Sequence, residues 1–418
     1  MMPWRFTQRL ILPAAMAAWM GLAVAQTAQE FNKVGIEAYN VGQYESAIAY
    51  FEEAYQQAPH SDVVRRNLCN AHQACADGLA KEGDFRKAAE HLELAIGIDA
   101  DNPAPLVQLG SYYLRLDMVP EAIGRLEEAI EIKPGELTAH EMLGEAYYRD
   151  NDLPSARAQW DYVLEMEPDR PALQERYDKA FREESVEYNF SQTLSGSRHF
   201  KLSYPKNLPY QVRARVLTLL EKAYFDIGRK LGAVYPPPPI QVIIYDAEQF
   251  SKATELDAHV GAVYDGKIRS PVMNASGKFL PDEELKRRLT HEYVHVVVRH
   301  LAGANVPWWL NEGLAQTFSE ELGERERKML RLAYEQGIDY ALSNIEDHQL
   351  NKLPPEALRL AYVQSHATVV TLWARYGQRR LIQMMQCLAS GMAPEQALRS
   401  SYRRTYRTLQ SEVAASYR

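Results

Sequence analysis

The chain has 418 residues, 46% hydrophobic and 24% charged, with a formal net charge of −8. That length exceeds one compact core and implies at least two domains. The composition is that of a globular protein rather than a disordered one, and the acidic balance leaves no basic footprint, so no nucleic-acid partner is expected.

The first 25 residues read as an export signal. Arg5 and Arg9 precede the apolar run LILPAAMAAWMGLAV (10–24), short for a membrane span, and Ala23-Val24-Ala25 supplies the small residues needed for cleavage after Ala25. The mature chain is then expected to have no transmembrane span and to reside outside the cytoplasm, in a bacterial periplasm. Three cysteines make no disulfide scaffold. Cys69 and Cys75 fall six apart on a predicted helix, where their side chains diverge by ~120°, and with Cys387 they read as packing residues.

Self-similarity begins after residue 27. Gly35, Ala47, Phe51, Ala54 and Pro59 hold offsets that recur as Gly110, Ala122, Leu126, Ala129 and Pro134, then as Gly144, Ala156, Trp160, Val163 and Pro168. Another unit carries Ala88, Leu92 and Ala95. Small residues let paired helices approach, the bulky residue fills the gap, and proline ends the second helix. The steps are 41, 34 and 34 residues, so seven extra residues enter near NLCNAHQACADGLAKEG, about two helical turns. This pattern resembles the tetratricopeptide repeat, about four copies within residues 26–180, and the resemblance implies a surface for a protein partner.

After residue 180 the period stops. The stretch NFSQTLSGSRH is polar and small, and residues 181–197 read as a linker. HFKLSYP alternates like a strand, YQVRARVLTLLEKAYFDIGRKLG has helical spacing, and PPPP (236–239) is a stiff connector. IQVIIYD predicts a β-branched strand, AEQFSKATE a short helix, and HVGAVYDGKIRSPV a strand interrupted by Gly261 and Gly266. From Pro281 onward the chain reads as almost all helix. Strands followed by helices predict an α+β domain over 198–418.

One predicted helix, from the acids near Pro281 to Gly303, contains HEYVH. Residues four apart lie ~40° apart on one helix face, so His291 and His295 can reach a single ion, and Glu292, offset by ~100°, stands beside it. A carboxylate there can take a proton from a water activated by the ion. A third histidine six residues beyond His295, as in metzincins, would fall on Leu301, Val298 stands where that pattern has a glycine, and His300 is turned ~140° from His295; none of these can serve. The next helix, PWWLNEGLAQ, offers Glu312 one turn inside its start at Pro307, with Trp308 and Trp309 placed to pack that turn against the HEYVH helix.

LTHEYVHVVV followed by PWWLNEGLAQ resembles the gluzincin metallopeptidases, and among them the peptidase MA-like domains found beside tetratricopeptide repeats. The resemblance implies a multidomain chain, an all-α tetratricopeptide-repeat solenoid followed by an α+β zincin-like (gluzincin) domain. It implies one Zn2+ per chain on His291, His295 and Glu312, with Glu292 as general base and acid. A tyrosine on a later helix stabilises the oxyanion in similar enzymes, and LAYVQSH offers Tyr362, with His366 a turn further on. Gly261, Ala262, Val263 and Tyr264 are similar to the edge strand that pairs with an extended substrate. Where thermolysin-like relatives carry an acid supporting a histidine ligand, this chain has Gln316. The expected function is an exported zinc peptidase acting on a peptide or protein. No set of residues that would anchor a free amino terminus is recognisable, which favours an endopeptidase. The alternative is an inactive peptidase-like protein whose repeats form an interaction scaffold.

Overall fold

The computed structural model describes residues 27–194, 196–256, 262–303, 305–347 and 353–417. The segment read as an export signal lies outside these residues.

Eight helices form four antiparallel pairs: α1 (Ala28–Asn40) with α2 (Tyr44–Gln57), α3 (Asp62–Lys81) with α4 (Phe85–Ile98), α5 (Pro103–Arg115) with α6 (Val119–Ile132), and α7 (Leu137–Arg149) with α8 (Leu153–Met166). A ninth helix, α9 (Pro171–Glu187), closes the array. The seven extra residues lengthen α3 to 20 residues, where α1, α5 and α7 have 13. At Gly144 an added Cβ would lie 2.3 Å from the Trp160 indole nitrogen, so the small–bulky pairing seen in the repeat pattern is a contact between paired helices. Cys69 and Cys75, both on α3, are buried free thiols.

The second unit is built on a five-stranded sheet of order β1-β2-β3-β5-β4. Its strands are β1 (Phe190–Thr193), β2 (Phe200–Pro205), β3 (Ile240–Tyr245), β4 (Val263–Tyr264) and β5 (Ile268–Pro271). The central β2, β3 and β5 run parallel, and the edges β1 and β4 are antiparallel to their neighbours. Every residue of β3 is buried, as expected of a strand covered on both faces. α10 (Tyr210–Lys230) and α12 (Asp282–Ala302) share a core with one face, while Tyr245 and Ile243 on the other face pack with Phe250 of α11 (Ala247–Thr254) and with Val186 of α9. The helical remainder comprises α13 (Trp308–Ser319), α14 (Glu324–Gln336), a short 3-10 turn (Leu342–Ile345), α15 (Pro355–Ala389, kinked at Gly377), α16 (Pro394–Tyr402) and α17 (Tyr406–Tyr417). Among the described residues no helix is long and apolar enough to cross a membrane.

Two expectations need correction. The stretch 181–197 is not an unstructured linker: α9 continues through Glu187 and residues 190–193 form β1, paired with β2. Its polar residues suit an edge strand, and the hairpin cations that α9 pairs with, Lys267 and Arg269, lie more than 80 positions away, where no local pattern reveals them. The predicted strand ending at Val272 is instead a hairpin, β4 and β5, turning through Asp265 and Gly266 (φ 102°).

A buried ionic seam joins the repeats to the sheet. Register places Arg269 opposite Ile243, so its guanidinium emerges on the α9 face. There it meets Glu183 at 2.6 Å, Glu187 at 3.3 Å and the Tyr245 hydroxyl at 2.6 Å. Lys267 donates to Asn151 Oδ1 at 2.9 Å and lies 3.4 Å from Glu183, and its ammonium sits 3.7 Å from the Tyr148 ring centroid. Both cations are wholly buried. Lys179 reaches Asp265 at 2.6 Å and Glu183 at 4.0 Å. Three cations thus face three acids, which is the condition for burying charge without a large penalty.

Candidate metal centre

α12 begins on three acids, Asp282, Glu283 and Glu284, ends with Arg299 and His300, and stops at Gly303, in keeping with the helix dipole. Residues Tyr293 to Val298 are all buried, so the helix is held from several sides and its polar residues have a fixed orientation. α13 starts after Pro307, and the Trp308 N–H donates to the Glu346 carbonyl at 2.8 Å. Trp308 packs edge-on against Tyr362 of α15, and Trp309 against Tyr406 of α17. These tryptophans therefore lock the start of α13 onto α15 and α17, in addition to sharing the α12 core. At Gly313 an added Cβ would lie 2.5 Å from the Ser365 carbonyl oxygen, and that close approach of α13 to α15 sets the height of Glu312.

The result is convergence. The His291 and His295 rings lie 4.9 Å apart, near perpendicular. Their Nε2 atoms stand 3.4 and 3.7 Å from the two carboxylate oxygens of Glu312. A tetrahedral ion with ligand bonds of 2.0–2.2 Å separates its ligand atoms by roughly 3.3–3.6 Å. The first distance falls within that range and the second just beyond it, so the donor set is close to the spacing a zinc-sized ion requires. His291, Glu292 and His295 also offer atoms within 4.8 Å of one another. Glu312 is the better third donor, because it meets both imidazole nitrogens while Glu292 is turned about 100° from His291 on the same helix.

Asn311 completes the arrangement and was not expected from the sequence. His295 Nδ1–H donates to Asn311 Oδ1 at 2.9 Å, which leaves the Nε2 lone pair facing Glu312. Gln316, at the position of the supporting acid in thermolysin-like relatives, leaves its buried Oε1 without a partner among the described residues. The only sequence signal for this role was an amide adjoining Glu312 in LNEG.

The charges around Glu292 give it an unusual acidity. Burial raises its pKa, as do the Glu312 and Asp265 carboxylates; His291 opposes, and the balance lies at about 7. His291 is shifted upward: burial works against its charged form, but Glu312 and Glu292 outweigh it. A carboxyl group poised near neutrality beside convergent ligands suits proton transfer.

These residues open onto a cleft of about 840 Å³. Tyr362 lines it, its phenol pushed up by burial and by the Glu312 and Glu292 carboxylates. His366, a turn further along α15, is buried and held down to about 4 by burial. Ala262, Val263 and Tyr264 also line the cleft, with β4 forming an edge of the sheet, and Gly261 lies outside the described residues. The opposite wall comes from the repeats, where Asp117, Glu145 and Arg149 face the cleft.

Residues 229–416 match the family model described as Peptidase MA superfamily, and residues 32–61 and 107–172 match tetratricopeptide repeat models. Among curated proteins there is no match. Similar solved structures include a double mutant of MamA RS-1, 17% identical over 38% of this chain and 85% of that one, with a TM-score of 0.30. Another is TTC0263, a thermophilic TPR protein of Thermus thermophilus, 20% identical over 37% and 99% of the two chains, TM-score 0.23. A third is YrrB, a TPR protein with an unusual peptide-binding site, 15% identical over 39% and 97%, TM-score 0.27.

Proposed function

We propose, from the premise that this chain joins tetratricopeptide repeats to a Peptidase MA superfamily domain, that it is an exported zinc-dependent endopeptidase. The single observation that carries the reading is the meeting of the His291 and His295 Nε2 atoms with the Glu312 carboxylate at 3.4 and 3.7 Å, beside the buried Glu292. His291, His295 and Glu312 would hold one zinc ion, and Asn311 would hold His295 in the ligating tautomer. The ion, when bound, supplies Lewis acidity toward a peptide carbonyl and a water molecule.

The chain's own residues do the rest. An extended substrate lies along the free edge of β4, held by main-chain hydrogen bonds at Val263 and Tyr264. Glu292 accepts the proton of the attacking water at its carboxylate and returns it to the leaving nitrogen. The Tyr362 phenol, held protonated, donates to the oxygen on which negative charge develops. Export rests on the leader at residues 1–25, with cleavage after Ala25 and a periplasmic destination, and the repeats supply a surface for protein partners.

The test is hydrolysis of denatured protein substrates by the full chain and by Glu292→Gln, with metal content measured on both. The reading expects internal cleavage products that Glu292→Gln reduces by at least ~100-fold while its zinc content is unchanged. Cleavage that survives Glu292→Gln contradicts the assigned base. A zinc-loaded chain that cleaves nothing contradicts the peptidase reading and favours a scaffold.

A further inference from the structure

Each helix pair of the repeat array turns through a residue at positive φ, two positions before its second helix: Gly42 (77°), Gly83 (87°), Asp117 (56°) and Asn151 (60°). Glycine adopts this conformation without steric cost, and the first two repeats use it. The third and fourth carry side chains there: Asn151 meets the second unit through Lys267, and Asp117 lines the cleft. Asp and Asn tolerate this conformation better than other side chains, and here they place a polar group at the turn.

The use of Asn151 is visible. It accepts from Lys267 at 2.9 Å and donates to Glu187 at 2.9 Å inside the seam. Asp117 plays no such part. It pairs ionically with Arg149 Nη1 at 3.7 Å, and among the described residues no hydrogen bond to its carboxylate accompanies that pair. Arg149 is already engaged by Glu145 at 2.8 Å and the Leu114 carbonyl at 2.7 Å, so it braces the rim.

Asp117 lines the same cleft as the metal centre. Its charge acts on Tyr264 of β4, and Arg299 and His300 of α12 act on it. Arg299 lies one turn past His295, ~6 Å along the helix, or about two residues of extended chain. Asp117, Tyr264 and Arg299 line one cleft with His291 and Glu312, so a polypeptide paired with β4 would run along the walls that carry this carboxylate.

We propose that Asp117 is a specificity-determining residue: its carboxylate accepts hydrogen bonds from a lysine or arginine side chain of an extended polypeptide held between the third repeat and β4. The repeat array is then one wall of the cleft and reads the substrate directly. This rests on the reading of the cleft as a peptide-hydrolysing site.

The test uses the full chain carrying Glu292→Gln, so that bound peptides stay intact, and a synthetic random decapeptide library whose retained members are sequenced. Retained peptides are expected to be enriched in lysine or arginine at a fixed position. Asp117→Gly should reduce that enrichment about tenfold, the scale of one charge-assisted hydrogen bond, and Asp117→Lys should replace it with a preference for aspartate or glutamate. Asp117→Gly restores the residue type of the first two repeats, so its melting temperature should equal or exceed the parent's, separating a lost contact from a lost fold. The same enrichment without Asp117, or no retention of peptides at all, overturns the proposal. Hydrolysis is scored separately with Glu292 intact: retention that depends on Asp117 without turnover would sink the peptidase reading and, with it, the role of Asp117 in substrate choice, leaving a peptide-binding contact only.

Discussion

Two clusters of buried charge lie close together in this protein and differ in one respect. In the seam between repeats and sheet, Lys179, Lys267 and Arg269 are matched by Glu183, Glu187 and Asp265. Burial works to raise the Glu183 and Asp265 pKa values, yet the cations hold both below the usual carboxylate range. At the candidate metal centre two carboxylates, Glu292 and Glu312, meet two imidazoles. The charges that act on Glu292 are His291, Glu312 and Asp265, with no lysine or arginine among them. The seam is internally neutral and complete, whereas the centre has a charge deficit that a dication would close. Balanced charge is architecture; unbalanced charge that converges on a point is a site.

The comparison breaks first at the seam. Glu183→Ala leaves Arg269 and Lys267 buried with fewer partners, and should cost about 3–5 kcal/mol in chemical denaturation, with the zinc content of the folded protein unchanged. A loss below about 1 kcal/mol would show that the seam tolerates imbalance.

Glu292 provides the next effect. Its pKa is raised in the folded protein, so the folded state binds its proton more tightly than the unfolded chain does. Stability from this group is complete below the ordinary glutamate range and is lost as pH rises through about 7. Metal-free protein should lose about 3 kcal/mol between pH 4.5 and 7 on this account. In Glu292→Gln the same window should be flatter by that amount, as read from denaturation midpoints across pH.

Asn311→Ala makes the smallest change. It removes the acceptor for His295 Nδ1–H and should weaken zinc affinity about 10–100-fold in a chelator competition, with little change in the fold. Unchanged affinity would show that the ring needs no second partner.

What could be read from the sequence divides along the same line. The repeats were legible because glycine, alanine and bulky positions recur at fixed steps, and Phe51, Leu126 and Trp160 each meet the paired glycine. His291 and His295 were legible because helical spacing alone puts them on one face. Glu312 followed from its place just inside the next helix. The seam was not legible, because Lys267 and Arg269 sit on a hairpin where alternating charge ordinarily means a solvated face, and their acids are 80 or more positions away on α9. Asn311 was overlooked because an amide beside a ligand carries no spacing rule. The repeat wall of the cleft was beyond reach, since it depends on how α9 and the Asn151 turn dock against the sheet.

The central claim is that the imbalance at His291, His295 and Glu312 is filled by a divalent ion. Elemental analysis of the full chain, purified without chelators, beside Glu312→Ala tests it most directly. The account predicts about one zinc per parent chain and a folded Glu312→Ala that holds far less. A parent chain with no stoichiometric divalent metal, or a Glu312→Ala chain that keeps its full complement, would contradict it.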